Sequence, residues 1–96
     1  MNRVTAHILM RGHVQGIGFR RFVADIADEL DVVGKVQNLS DGDVLIEATA
    51  ERAVLDQLIQ RVEQGNGYSI IEKVTIKWHE GGNPPEGFNV VQSHLW

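Results

Sequence analysis

Two switches of hydrophobic period, with a hairpin between them, constrain this chain more than any other feature. Val4, Ala6, Ile8 and Met10 alternate with Thr5, His7, Leu9 and Arg11, the two-residue period of a strand with one buried face. From Phe19 the period changes. Phe19, Phe22, Val23, Ile26, Ala27 and Leu30 fall at helical spacing, with Asp25, Asp28 and Glu29 on the opposite side. This predicts an amphipathic helix that ends near Asp31 or Gly34. Val33 to Leu39 and Asp43 to Thr49 read as two strands about Ser40-Asp41-Gly42, where Asp-Gly supplies the backbone freedom of a tight turn. Val54, Leu55, Leu58, Ile59 and Val62 form the stripe of a second helix, entered at Thr49 or Ala50 with Thr49 as its cap, and stopped at Gly65 or Gly67. Ile70, Glu72, Val74, Ile76 and Trp78 alternate with Ile71, Lys73, Thr75 and Lys77 in a fourth strand that sends Trp78 to the core. Beyond Gly81-Gly82-Asn83-Pro84-Pro85, the segment Phe88 to Val91 adds a short fifth.

Strand and helix alternating twice about a hairpin define an α+β sandwich, βαββαβ, with two helices on one face of an antiparallel sheet. This is the ferredoxin-like arrangement. No linker, low-complexity tract or fixed-period repeat interrupts it, so residues 1–96 are expected to form a single domain. The first and second strands then run parallel, and the third pairs between them. Their carboxyl ends emerge at one edge, two strand spacings or roughly 10 Å apart. The residues at that edge are Gly12 to Phe19 on one side and Asn38 on the other.

The edge is chemically distinctive. Gly12-His13-Val14-Gln15-Gly16-Ile17-Gly18-Phe19-Arg20 joins strand to helix through three glycines and ends on an arginine. Glycines allow successive N–H groups to turn inward, and a helix start carries unpaired donors with roughly +0.5 of an elementary charge. The backbone of Gln15, Gly16, Ile17, Gly18 and Phe19, together with Arg20, is the candidate phosphate site. A guanidinium grips phosphate through two parallel hydrogen bonds and keeps its charge at physiological pH. By itself such a loop is either an anion cradle or merely a tight connection, and Asn38 either holds a water or caps the hairpin turn. The loop lacks the Gly-Lys-Ser/Thr of a nucleotide phosphate loop and the third glycine of a dinucleotide fingerprint.

The run from Gly12 to Arg20 resembles the acylphosphatase signature G-x-V-Q-G-V-G-F-R, with Ile17 in place of the second valine. The resemblance continues through Val36-Gln37-Asn38, Ser40-Asp41-Gly42 and Val44 to Glu47, and more loosely to the C-terminus. It implies an enzyme that hydrolyses acyl phosphates to carboxylate and inorganic phosphate, with Arg20 and Asn38 as its catalytic pair. The chemistry agrees. The leaving carboxylate has a conjugate-acid pKa near about 4, so its expulsion requires neither metal nor general acid. An amide such as Asn38 can hold a water but cannot take its proton at neutral pH, which leaves the substrate phosphate as proton acceptor. Acylphosphatase-like domains also occur at the front of hydrogenase maturation carbamoyltransferases, so a slow or non-catalytic module binding phosphate or carbamoyl phosphate is the alternative.

Three segments depart from the family pattern. Gly34-Lys35 stands for glycine-tryptophan, Ala50 for a glycine before the second helix, and Gly65-Asn66-Gly67-Tyr68-Ser69 for a glycine-proline loop. None touches the proposed chemistry, and they are expected to bear on the shape of the acyl-group pocket and on the rate. Composition narrows the partners. A net charge of -4 argues against nucleic acid, whose affinity comes from Lys and Arg neutralising phosphates. With no cysteine and no apolar stretch near the roughly 20 residues of a membrane span, a cytoplasmic monomer without membrane contact is expected. His7, His13, His79 and His94 show no metal-ligand spacing, and neither metal nor cofactor is expected.

Overall fold

The computed structural model describes residues 2–81 and 83–92; His94 lies outside them. Strand β1 (Arg3–His13) buries Ala6, Ile8 and Met10, as its alternation requires. Helix α1 (Phe19–Glu29) turns Phe19, Val23, Ala24, Ile26 and Ala27 inward. It ends where Asp31 adopts the left-handed conformation (φ 57°). The Asp31 N–H donates to the Asp28 carbonyl at 3.2 Å and the Val32 N–H to the Ala27 carbonyl at 2.8 Å, the paired bonds of a Schellman cap. Strand β2 (Val33–Asn38) then turns into β3 (Val44–Glu51). The Leu39 N–H donates to the Asp43 carbonyl (2.8 Å), while Asp41 Oδ1 accepts from the Asp43 N–H (2.9 Å).

The start of the second helix differs from expectation. β3 runs on to Glu51 and passes directly into α2 (Arg52–Glu63), so Thr49 is a strand residue. Its hydroxyl pairs with that of Thr5 at 2.7 Å across β1 and β3, and no side chain caps α2. The helix ends as expected, with Gly65 just beyond it at φ 77°.

Strand β4 (Ile70–Glu80) also departs from a simple alternation. A bulge against Arg11 and Gly12 shifts the pairing so that Gly12 faces Ile71 and Arg11 faces Lys73. The extra residue, Glu72, reverses the faces on either side of it. Ile71, Val74, Ile76 and Trp78 therefore pack on the core, whereas Glu72 is exposed and Ile70 is 63% exposed. Gly12 is required here. At φ 140°, a Cβ added to it would lie 2.0 Å from the Ile70 carbonyl oxygen.

The sheet order is β4-β1-β3-β2-β5, with β5 (Phe88–Val90) at one edge. β3 is antiparallel to both β1 and β2, so those two strands run parallel and end at the same edge. β5 pairs parallel to β2, with Lys35 opposite Asn89, which makes the sheet mixed rather than purely antiparallel. Both helices pack on this sheet through one apolar cluster that includes Phe19, Val23, Leu55, Leu58, Ile8 and Ile46. Truncating a buried phenylalanine such as Phe19 to alanine costs about 3–5 kcal/mol. Because Phe19 is also the last residue of the glycine loop, the core itself anchors the loop's end. At the far end of α1, Arg61 of α2 grips Glu29 and holds its carboxyl below the ordinary value of 4.5 through a direct hydrogen bond and charge. That contribution is present at neutral pH and is lost as pH falls below 4.5 and through the lowered value. Both groups are solvated, so it is small.

Candidate active site

Gly18 is the residue before the first turn of α1, in the left-handed conformation with φ 77°. A glycine there has no side-chain oxygen to cap the helix, and no side chain does so. The first helical bond runs from the Phe22 N–H to the Gly18 carbonyl at 3.0 Å, so the N–H groups of Phe19, Arg20 and Arg21 have no acceptor within the helix. The first turn holds no acidic residue and two arginines. Cations at a helix N-terminus oppose the macrodipole by about 0.3–1 kcal/mol each, so this terminus concentrates positive charge on an otherwise acidic protein.

A cavity of about 190 Å³ opens at this terminus, lined by Gly16, Gly18, Phe19, Arg20, Arg21 and Asn38, with Val14 and Val90 as apolar walls. At about 30 Å³ per water in the liquid, it has room for a phosphoryl group and a water. Asn38, the last residue of β2, reaches it from the opposite side. Its Oδ1 is buried without a hydrogen-bond partner among the described residues. A buried acceptor left unmet costs about 1–3 kcal/mol.

Arg20 is steered from a distant part of the chain. Its Nη1 donates to the Val91 carbonyl at 2.6 Å, and the Val91 N–H donates to the Val36 carbonyl at 2.9 Å, continuing the β2–β5 ladder. The residue just after the short fifth strand thus carries the acceptor that fixes one side of the guanidinium. Arg21 is exposed and also lines the cavity, with its Nη1 3.8 Å from Asp25.

Gln15 and Ile17 do not line the cavity. The Gln15 side chain turns to the β2–β3 hairpin, where Nε2 donates to the Leu39 carbonyl (2.8 Å) and the Asp43 carbonyl (2.9 Å), joining the loop to the segment just after Asn38. The buried Asp43 carboxylate in turn receives Arg11 Nε (3.2 Å) and Nη2 (3.3 Å) from β1. The Ile17 carbonyl accepts from Asn66 Nδ2 at 2.9 Å. The Gly65-to-Ser69 departure therefore touches the glycine loop directly. The other two departures lie elsewhere, Lys35 paired with Glu47 at 3.1 Å and Ala50 buried in β3. His13 is exposed and lines no part of the cavity.

A larger hollow of about 530 Å³ lies on the other face of the sheet, among Thr5, His7, Lys35, Glu47 and His79. There Glu47 pairs with Lys35 Nζ at 3.1 Å and stands 3.0 Å from His7 Nε2. The smaller cavity, with the uncapped helix start on one wall and Asn38 on the other, is the better candidate for chemistry.

Comparison with known proteins agrees. The acylphosphatase family profile matches residues 6–90. An acylphosphatase of Salinibacter ruber is 42% identical over 88 residues, spanning 92% of this chain and 90% of its own. The crystal structure of acylphosphatase from Bacillus subtilis superposes with a TM-score of 0.89 at 29% identity, covering 93% of this chain and 99% of that one. The crystal structure of HypF from T. kodakarensis matches with a TM-score of 0.83 at 26% identity, over 95% of this chain but only 12% of that protein. The chain belongs to the acylphosphatase family, whose members are enzymes that hydrolyse acyl phosphates.

Proposed function

We propose that the cavity at the start of α1 hydrolyses the carboxyl-phosphate bond by direct attack of water. The N–H groups of the loop and of the first helical turn hold the phosphoryl oxygens, and Arg20 neutralises charge as the phosphorus is attacked. The Asn38 carboxamide holds the attacking water by a hydrogen bond, turning its lone pair toward the phosphorus. The water's proton passes to a phosphoryl oxygen, and the carboxylate leaves without protonation. The observation that carries this reading is the shared cavity itself: a donor-rich, uncapped helix start with two arginines and Asn38 of β2 line the same space.

The chain is proposed to act as a single domain and as a monomer in a reducing cytoplasm, with acyl phosphate as substrate, inorganic phosphate as product and no nucleic-acid partner. The absence of cysteine and the net charge of -4 support that setting. Among the described residues, no helix is long and apolar enough to cross a membrane. No three His, Cys, Asp or Glu side chains gather there to hold a metal.

Benzoyl phosphate hydrolysis in excess EDTA tests the reading, and turnover is expected to persist undiminished. Loss of activity that added magnesium restores would overturn the metal-free mechanism. Phosphate binding without turnover would instead favour a binding module, a role consistent with the match to a small part of HypF.

A further inference from the structure

We propose that Asn66 is a positioning residue for phosphate binding: by donating to the Ile17 carbonyl, it aims the Gly18 N–H into the cavity. The proposal rests on the cradle reading above. In a trans peptide, a carbonyl and the N–H that follows it point to opposite sides. Asn66 Nδ2 holds the Ile17 oxygen at 2.9 Å, so the Gly18 N–H is turned away from Asn66, and Gly18 is a wall of the cavity. Gly18 needs such a restraint. It sits at φ 77°, and a glycine's backbone torsions are the least hindered of any residue, so the peptide planes beside it are held only where they are bonded. The plane after it is fixed by the Phe22 N–H donating to the Gly18 carbonyl at 3.0 Å. The plane before it is fixed by Asn66.

The brace is itself rigid. Asn66 Oδ1 accepts from the N–H groups of Tyr68 and Ser69, both at 3.0 Å, and the Asn66 N–H donates to Ser69 Oγ at 3.2 Å. One half of the carboxamide closes its own turn while the other half reaches the glycine loop, and Gly67 at φ 92° lets the turn fold that tightly.

Because the Gly18 N–H would touch the phosphoryl group in the ground state and the transition state alike, its misdirection weakens binding without slowing the bound complex. Asn66→Ala and Asn66→Asp are therefore compared with the unaltered protein by calorimetric titration of inorganic phosphate and by benzoyl phosphate kinetics. Asn66→Asp keeps the oxygen that closes the turn and loses only the donor. Measured at high salt, its added charge is screened. The Kd for phosphate and the KM are expected to rise about five-fold in both variants, the worth of one ordinary hydrogen bond, while kcat changes by less than about two-fold. Ser69→Ala, which loosens the turn alone, is expected to lower Tm and leave the Kd unchanged. Unchanged Kd and KM in folded Asn66→Asp, beside normal phosphate binding by the unaltered protein, would overturn the brace alone. Failure of the unaltered protein to bind phosphate would overturn the cradle reading and the brace with it.

Discussion

The two helices of this protein begin in the same irregular way and end up with opposite uses. Both lack a side-chain cap, and both place an arginine in the first turn, where the helix dipole disfavours a cation. At α2 the cation is spent locally. Arg52 lies 3.7 Å over the Trp78 ring and its Nε is 3.4 Å from Asp56 one turn on, so packing and charge offset the dipole. At α1 the preceding residue is a glycine, the donors open onto a cavity, and the arginine is steered by a backbone carbonyl 71 residues away. A helix N-terminus with an arginine is therefore no site in itself. What distinguishes α1 is the cavity in front of it, with Asn38 across that cavity.

The contrast can be broken by exchanging the roles of the two arginines. Arg20→Gln is expected to lower kcat/KM by about 10³–10⁵-fold, the range for an arginine that stabilises a phosphoryl transition state, and to weaken phosphate binding as well. Arg20→Lys fails too, because an ammonium cannot reproduce the two-pronged grip. Steady-state kinetics together with phosphate calorimetry check both. A far smaller effect follows at the other helix. Arg52→Gln removes the stacking on Trp78 and lowers Tm by a few degrees, while kcat/KM and phosphate affinity stay as they were. A thermal melt beside the same assays decides this, and a drop in phosphate affinity would show that the two helix starts are not separate in function.

Much of this was legible in the chain because its signals are local. The period changes at Phe19 and Val54, the Asp41-Gly42 turn and the glycine loop each occupy a few neighbouring residues, and they lead to α1, α2, the hairpin and the parallel placement of β1 and β2. Arg20 and Asn38 were visible as candidates for the same reason, and the structure brings both to one cavity. What stayed hidden depends on distant partners. The parallel pairing of a three-residue β5 with β2, and the Val91 carbonyl it delivers to Arg20, leave no periodic trace. Gln15 and Asn66 bond main-chain carbonyls 24 to 49 residues away, and a carboxamide in a loop looks the same whether it faces water or braces a neighbour. Asn66 did carry one hint, since an asparagine between two glycines is the composition of a side-chain-closed turn. Glu72 misled because a bulge reverses alternation without altering composition. Thr49 misled because a good capping residue also serves well in a strand, where its hydroxyl found Thr5.

The central claim is that one wall of the cavity holds the phosphoryl group and the other holds the water. Replacing Asn38 by alanine separates the two most directly, with kcat for benzoyl phosphate and the calorimetric Kd for inorganic phosphate measured on the same folded protein. The account predicts that kcat falls by at least about 10²–10³-fold, as for loss of a group that acts on the reacting atoms, while the phosphate Kd stays close to that of the unaltered protein. Near-native kcat in folded Asn38→Ala would make Asn38 a turn residue and contradict the mechanism.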